Sequence, residues 1–448
     1  MRLACPRRLI WALVGSVAML ACGGPEERSA TPTPLVATVA PTLVLQPVST
    51  ASAAPRPAPA PAPPAVPNKR GVHLLLDDGG TQFDPAVWED HVRWARRLTG
   101  RGGHVVQLIR SDDLRPERWQ RYFDLVARME LTPVVRLSTH KNLARQWWVA
   151  PPADPDGRYR QIASQYRKFV ESITWRSPEV WVTVGNEPNR PDEWGGAPDP
   201  AAYARFLRDV AAELHAVNNV RVRVLNAALD AYAPSAEHPG GPSIDSDRFL
   251  EEMIAEDRGT LDVLDGWATH AYPLGPFGEH PSRQLMQIDD VRPNATARQD
   301  PPTGVWNRGI NGYEWELWKL RQLGLKGTLP VYVTETGWRH RSSQTTGSLD
   351  RDHATVDDAA LGELFRLAYD GPLDARAVGW TPWNHDERVV TAAVFALGGR
   401  ADHWGHTNLL LLDAMGRIQG AYGFTASLAH IAPGSLALAV DDRPDGRD

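Results

Sequence analysis

Apolar residues between about residue 71 and residue 431 recur with two periods that alternate along the chain. Short unbroken runs of apolar and β-branched residues are typical of strands buried on both faces. Between these runs, apolar residues return every three or four positions, which is typical of amphipathic helices. One such helix is expected to begin at Asp199 or Pro200, because aspartate caps a helix and proline fits its first turn. The predicted strands are residues 72–76, 104–109, 133–137, 180–184, 221–226, 264–270, 330–334 and 377–380.

The eightfold repeat of strand and helix predicts one α/β domain at residues 71–431, folded as a (β/α)8 TIM barrel. An open doubly wound sheet is the competing arrangement, and it would normally carry a glycine-rich turn after its first strand. The segment at residues 77–80, Asp-Asp-Gly-Gly, lacks that glycine spacing. An apolar pattern at residues 422–431 predicts the last helix. The longest insertion, residues 273–310, is expected on the face that carries the carboxyl ends of the strands.

The amino end has the pattern of a bacterial lipoprotein signal. Basic residues at the start precede an apolar run at residues 9–20, which is too short to span a bilayer as a permanent helix. The motif Met-Leu-Ala-Cys at residues 19–22 resembles a lipobox, in which the cysteine is lipidated after cleavage. We therefore expect residues 1–21 to be a signal peptide and Cys22 to anchor an exported protein to a membrane. An ordinary secreted protein is the alternative.

The segment at residues 22–70 carries almost no charge and is rich in Pro, Ala, Thr and Ser. Such a composition cannot bury enough apolar surface to fold, so we predict a disordered stalk. Residues 432–448 are predicted to be a carboxyl-terminal tail. The net charge is −6 without a sustained basic stretch downstream, which argues against a nucleic-acid partner. We expect a monomer whose only membrane contact is the lipid.

Two of the predicted strands stop on a glutamate. Residues 181–189 read Trp-Val-Thr-Val-Gly-Asn-Glu-Pro-Asn, and residues 330–338 read Pro-Val-Tyr-Val-Thr-Glu-Thr-Gly-Trp. The glutamates are Glu187 and Glu335. Barrel enzymes keep their chemistry at the carboxyl ends of the strands, which meet at one face. Two carboxyl groups there are what cleavage of a glycosidic bond by an acid and a nucleophile requires.

These motifs resemble those of clan A glycoside hydrolases, the "4/7" barrels that include cellulase-, mannanase- and β-xylosidase-type enzymes. The resemblance implies retaining hydrolysis of β-glycosidic bonds in a poly- or oligosaccharide through a glycosyl–enzyme intermediate. It assigns Glu187 as general acid/base, Glu335 as nucleophile and Asn186 as a ligand of the sugar 2-hydroxyl. Retention needs carboxyl groups about 5–5.5 Å apart and inversion about 6.5–9.5 Å, and we expect the shorter separation.

The same resemblance extends to the sixth and eighth predicted strands. His270 and Tyr272 match the family's His-x-Tyr, so Tyr272 would donate a hydrogen bond to the nucleophile and His270 would line the sugar subsite. Both could instead be structural residues of a barrel rim. Of the two tryptophans in the motif Trp-Thr-Pro-Trp, Trp383 is expected to lie beneath the sugar and Trp380 to belong to the core.

Further candidate substrate-binding residues are Arg136, His73 and Trp338, and for each of them a buried structural role is the alternative. The chain has 17 tryptophans, and sugar rings pack their C–H faces on aromatic planes. Other tryptophans that lie beyond strand ends are Trp147, Trp148, Trp194 and Trp306.

No cofactor or metal is predicted. The two histidines of the segment His-Trp-Gly-His at residues 403–406 lack a third ligand at convincing spacing. The sequence also lacks the motifs for acyl, phosphoryl or hydride transfer. Two other functions stay open: a non-catalytic glycan-binding surface lipoprotein, and a transglycosidase in which an acceptor sugar replaces water.

Overall fold

The structure is a computed structural model, and the described residues belong to the compact unit at residues 64–448. Cys22, the signal, nearly all of the stalk, the tail and most of the 273–310 insertion lie outside the described residues. No helix among the residues that are described is long and apolar enough to cross a membrane. The described residues are 67–233, 235, 237–238, 241–273, 307–340, 358–371 and 381–430.

Eight parallel strands form one sheet in which each strand pairs with its neighbours in sequence. The last strand pairs with the first, and a parallel bridge from Leu225 to Gly266 joins the fifth strand to the start of the sixth. The sheet is therefore closed, and the prediction of a (β/α)8 barrel is confirmed. The strands are β1 (Arg70–Leu74), β2 (His104–Arg110), β3 (Thr132–Ser138), β4 (Glu179–Val184), β5 (Arg221–Leu225), β6 (Trp267–His270), β7 (Val331–Thr336) and β8 (Val389–Val394).

The eighth strand is not where the sequence prediction placed it. The strand between β7 and β1 is β8, whereas the predicted segment at residues 377–380 lies outside the described residues. Residues 389–394 read Val-Val-Thr-Ala-Ala-Val, a run with the composition of a buried strand. The Trp-Thr-Pro-Trp motif therefore precedes β8 instead of ending it, so its second tryptophan lies at the amino end of the strand.

Helices connect the strands on the outside of the barrel. The α4 helix begins at Pro200 with Asp199 as its cap, whose side chain accepts a hydrogen bond from Ala202 N, so the predicted start is confirmed. The helices are α1 (Trp88–Thr99), α2 (Pro116–Arg128), α3 (Arg160–Ser172), α4 (Pro200–His215), α5 (Ser246–Glu256), α6 (Tyr313–Gln322), α7 (Asp358–Asp370), α8 (Ala401–Trp404) and α9 (Gly423–His430).

The core has two layers. A large apolar layer lies between the sheet and the helices, and it includes the stacked rings of Trp88 and Trp119. A smaller cluster fills the barrel interior, where Tyr332 packs at 4.4 Å from the ring of Trp181. Small residues such as Ala268 and Ala393 complete this inner cluster. Because the interior is filled, a ligand can enter only at the ends of the strands.

Candidate active site

The turn after β4 brings Glu187 to the barrel mouth. Gly185 has φ +94° and Glu187 has φ +32°, so the chain turns sharply directly after the strand. A left-handed backbone is costly for a glutamate, and such strain is typical of functional sites. Glu187 N donates a hydrogen bond to Ala228 O at 2.9 Å, which fixes the turn against the segment after β5. The side chain of Glu187 is 11% exposed.

Glu335 lies inside β7 and faces the same mouth. Arg136, from β3, donates a hydrogen bond from Nη1 to Glu335 Oε1 at 2.5 Å. Tyr272 donates its hydroxyl proton to Glu335 Oε2 at 2.9 Å. The two carboxylate oxygens of Glu335 are therefore held by two different donors, a guanidinium and a phenol.

The pKa of Glu335 is lowered to about 2. Burial is the largest single influence and would raise the pKa, but the positive charges of His270 in its protonated form and of Arg136 together outweigh it. The pKa of Tyr272 is raised well above its usual range, first by burial and then by the charges of Glu335 and Glu187. Glu335 is therefore ionised at neutral pH, and Tyr272 keeps the proton that it donates.

His270 connects the two glutamates. Its Nδ1 lies 2.6 Å from Glu187 Oε1, while its Nε2 lies 3.3 Å from Arg136 Nη2. Arginine cannot accept a hydrogen bond. When the imidazole is neutral, Nε2 must therefore be the acceptor, and Nδ1 carries the proton that is donated to Glu187.

The two carboxyl groups lie close together. One carboxylate oxygen of Glu187, one of Glu335 and one nitrogen of His270 all lie within 4.8 Å of one another. Two carboxyl groups with oxygens this close can act on the same bound sugar. The two glutamates that the sequence motifs indicated thus come from different strands and lie at the same site.

His73 contributes a second imidazole beside Glu335. Burial, followed by the charge of Arg136, lowers the pKa of His73 to about 3, so the ring is neutral at neutral pH. Its Nδ1 donates to Leu74 O at 3.0 Å, which leaves Nε2 unprotonated at 3.8 Å from Glu335 Oε1. This buried Nε2 has no hydrogen-bond partner among the described residues.

A pocket of about 400 Å³ opens over the glutamate pair. Both glutamates line it together with the predicted residues Asn186, Arg136, His73 and Tyr272. Asn186 Oδ1 is a buried oxygen without a hydrogen-bond partner in the described part of the chain. The pocket therefore presents a free acceptor near each glutamate, in addition to the two carboxyl groups.

Three predicted residues do not line this pocket, and one of them, His270, is instead buried beside the two glutamates. Trp383 is fully buried in the turn before β8, where its Nε1 donates to Ile310 O at 3.0 Å and its ring packs on Tyr369. Its position is thus a correction to the prediction, since β8 begins after this tryptophan. Trp338 is 2% exposed and packs edge-on against Phe365 of α7, so it belongs to the core.

The pocket also contains residues that the sequence prediction missed. Phe395 follows β8 directly and takes the place that was expected for Trp383. Arg190, three residues after Glu187, donates from Nη1 to Glu187 Oε2 at 3.2 Å. Phe395 could have been found from the apolar run that it ends. Arg190 could have been found from its short spacing to Glu187.

The cluster of Glu187, His270 and Glu335 also has the donor types of a metal site. Arg136, however, contacts Glu335 Oε1 at 2.5 Å and His270 Nε2 at 3.3 Å. The permanent positive charge of Arg136 repels a metal ion, and its guanidinium already contacts the atoms that would bind the metal. The donor set therefore suits an acid and a nucleophile better than a metal ion.

Family models and curated proteins give no match to this chain. Similar solved structures include a glucosidase from Croceicoccus marinus, with 11% identity over 82% of this chain and 67% of that chain and a TM-score of 0.45. A fungal β-1,4-galactanase shares 13% identity over 81% of this chain and 99% of that chain, with a TM-score of 0.47. The catalytic domain of GH30 xylanase C from Talaromyces cellulolyticus shares 10% identity over 82% of this chain and 77% of that chain, with a TM-score of 0.42. The chain is similar in fold to these glycosidases.

Proposed function

We propose that this protein is a retaining glycoside hydrolase that cleaves β-glycosidic bonds of a poly- or oligosaccharide. The observation that carries the proposal is the glutamate pair, whose oxygens lie within 4.8 Å at the ends of β4 and β7. The β configuration of the substrate comes from the motif resemblance alone. A binding protein would need neither an ionised carboxylate nor a second acid beside it.

In the first step Glu335 attacks the anomeric carbon, and the bond from that carbon to the leaving oxygen breaks. Arg136 and Tyr272 keep Glu335 ionised and oriented for this attack. Glu187 gives its proton to the leaving oxygen, which departs as an alcohol. The product of this step is a glycosyl ester on Glu335.

In the second step Glu187 is a carboxylate and takes a proton from water. The resulting hydroxide equivalent attacks the anomeric carbon, and the bond to Glu335 breaks. His270 Nδ1–H donates to Glu187 Oε1 and can stabilise the carboxylate form that this step needs. The free acceptors Asn186 Oδ1 and His73 Nε2 would receive hydrogen bonds from sugar hydroxyls.

The proposal is tested by hydrolysis of a panel of aryl β-glycosides with the wild type and Glu335→Ala. We expect the variant to lose at least a thousandfold in kcat, with partial rescue by azide and formation of the α-glycosyl azide, since a small anion can attack where the carboxylate is missing. The variant Glu171→Ala on the outer helix α3 is the matched control and should retain full activity. If the wild type and Glu335→Ala are equally inert but bind glycans, the protein is a binding module and the proposal fails.

We also propose that the domain is exported and held at a membrane by a lipid on Cys22. The support is the sequence Met-Leu-Ala-Cys at residues 19–22 behind a basic start and an apolar run. Expression in a bacterium with labelled palmitate should give a labelled protein in the membrane fraction. Cys22→Ser should remove the label, and a labelled Cys22→Ser variant would contradict the proposal.

A further inference from the structure

The pocket extends outward from the nucleophile along a series of rings. His73 lies 3.8 Å from Glu335 Oε1, and its ring lies 5.1 Å from the ring of Phe395. Phe395 in turn packs edge-on against Trp404 with ring centroids 5.1 Å apart. The rings of His73, Phe395 and Trp404 therefore border one pocket together with the nucleophile.

Three loops form the end of this path, which we call the outer wall: Asp78, Lys141, Trp148, His403 and Trp404. Asp78 follows β1, Lys141 and Trp148 form a paired hairpin after β3, and the last two belong to α8 after β8. All five residues line the same pocket as the glutamate pair.

The hairpin is packed tightly against the loop after β1. A Cβ atom at Gly79, which has φ +75°, would lie 2.6 Å from the Trp148 ring and 3.0 Å from Lys141 Cβ. Glycine is therefore required for this contact as well as for the backbone conformation. The ring of Trp148 and the base of Lys141 are thus held in place before any ligand binds.

The two charged side chains of the outer wall, Asp78 and Lys141, differ in how they are held. Asp78 Oδ1 accepts hydrogen bonds from Gly80 N and Thr81 N, and its Oδ2 accepts one from Trp404 Nε1 at 3.0 Å. Lys141 makes no ion pair or side-chain hydrogen bond with any residue in the described ranges. Burial, followed by the charge of Lys141, lowers the pKa of His403 against the opposing charge of Asp78, so this ring adds no positive charge to the wall at neutral pH.

Building on the proposed function, we infer that the outer wall is a second sugar subsite that binds a carboxylate-bearing sugar unit. The indoles of Trp148 and Trp404 offer apolar surface to the sugar ring. The ammonium group of Lys141 offers the single charge that a uronate carboxylate needs, in a pocket where solvent screening is reduced. The preferred substrate would then be an acidic glycan.

The inference is tested by binding, so that turnover is not required. The full chain with Glu187→Gln keeps the Arg136–Glu335 pair and leaves the charge of the outer wall unchanged. Its affinity is measured by calorimetry for three pairs of β-linked disaccharides, in which the terminal glucose, galactose or mannose is exchanged for the corresponding uronate. We expect at least one uronate to bind about tenfold more tightly than its neutral partner.

Lys141→Gln, added to the same chain, should abolish this preference. Lys141→Arg should preserve the preference, and the exposed Lys168→Gln on α3 is the matched control that should have no effect. Equal binding of all pairs, no binding of any uronate, or a preference that survives Lys141→Gln would overturn the inference. If the uronate preference depends on Lys141 but the protein has no hydrolytic activity, the subsite is supported and the hydrolase proposal fails. If the protein hydrolyses glycosides without any uronate preference, the hydrolase proposal is supported and the subsite fails.

Discussion

At the scale of single residues, the two glutamates differ in what holds them. Glu335 is bound by Arg136 and Tyr272, both of them donors that lie inside the barrel. Glu187 is contacted by His270 on one oxygen and by the half-exposed Arg190 on the other. The two glutamates thus have different surroundings, in keeping with the different roles that a nucleophile and an acid play in retention.

The role of Glu187 predicts a dependence on the leaving group. Glu187→Ala should slow the cleavage of substrates with poor leaving groups by about 10²–10⁴-fold, since proton transfer to them is lost. Substrates with a dinitrophenolate leaving group need no proton and should still form the glycosyl–enzyme at nearly the wild-type rate. Pre-steady-state release of the phenol measures this step, and a uniform loss for all leaving groups would contradict the assignment.

The role of Arg136 predicts a change in the pH profile. The pKa of Glu335 is lowered to about 2 although burial opposes this, and Arg136 is among the charges responsible. Any acidic limb above about pH 3 in the pH profile of wild-type kcat/KM should therefore come from a group other than Glu335. In Arg136→Met the pKa of Glu335 rises, so an acidic limb should move into the range above pH 4. An unchanged profile in this variant would show that Arg136 does not set the charge of Glu335.

The sequence alone indicated Glu187 and Glu335, because each follows an apolar run and carries its own motif. It indicated Arg136, His73 and His270 as pocket residues but not which atoms they contact. Those contacts depend on the register of β1, β3 and β6, which no local pattern encodes. Lys141 was not indicated at all, since an isolated lysine in a loop has no distinctive sequence signal.

At the scale of secondary-structure elements, a buried acid joins α6 to the sheet. Glu316 is 2% exposed, and its Oε2 accepts a hydrogen bond from Trp267 Nε1 of β6 at 2.7 Å. Burial raises the pKa of Glu316 to about 7, although hydrogen bonds from Trp267 and Thr269 oppose the shift. The helix thus depends on a carboxyl group that prefers to stay protonated.

This acid predicts a loss of stability with rising pH. The folded-state pKa of Glu316 lies above its value in an unfolded chain, so its contribution is complete below about pH 4.5 and is lost as the pH rises through 7. Glu316→Gln should remove this component, which is of the order of 3 kcal/mol between pH 4.5 and 8. Urea unfolding at both pH values measures it, with the exposed Glu117→Gln as control. The same pH dependence in wild type and Glu316→Gln would refute the role of this residue.

The error in the eighth strand belongs to this scale. The segment at residues 377–380 resembled a strand that ends in a tryptophan platform, while the apolar run of β8 lacked a familiar motif. Strand pairing decides the matter, because β8 pairs with both β7 and β1. The sequence prediction therefore missed β8, although its apolar run has the composition of a buried strand.

At the scale of the whole molecule, the barrel closes through a narrow contact between β5 and β6. The bridge from Leu225 to Gly266 forms this contact. A Cβ atom at Gly266 would lie 2.8 Å from Leu225 Cδ2 and 3.0 Å from Pro330 O. The closure therefore requires a residue without a side chain at this position.

Gly266→Ala should accordingly destabilise the barrel by about 1–3 kcal/mol, the usual cost of adding atoms to a closely packed core. The measurement is the midpoint of urea unfolding compared with wild type. Gly423→Ala at the start of α9 is the control, because a Cβ there would meet no atom within 4 Å. A Gly266→Ala variant as stable as wild type would show that the contact between β5 and β6 can widen without loss of stability.

The overall architecture could be predicted because eight repeats of one pattern admit few topologies. The loops that shape the pocket could not, since their conformations depend on contacts such as the one between Gly79 and Trp148. The barrel and the position of the glutamates along it were therefore accessible from the sequence. The ring-lined path toward Trp404 became visible only when three distant loops were brought together.

The most direct measurement of the central claim is covalent trapping of the nucleophile. The wild type is incubated with activated 2-deoxy-2-fluoro β-glycosides of glucose, galactose, mannose and xylose, and its peptides are mapped by mass spectrometry. The account predicts a stable glycosyl ester on Glu335 with at least one of these sugars, formed in step with loss of activity. An ester on another residue, or turnover of the matching aryl glycoside without any trapped ester, would contradict it.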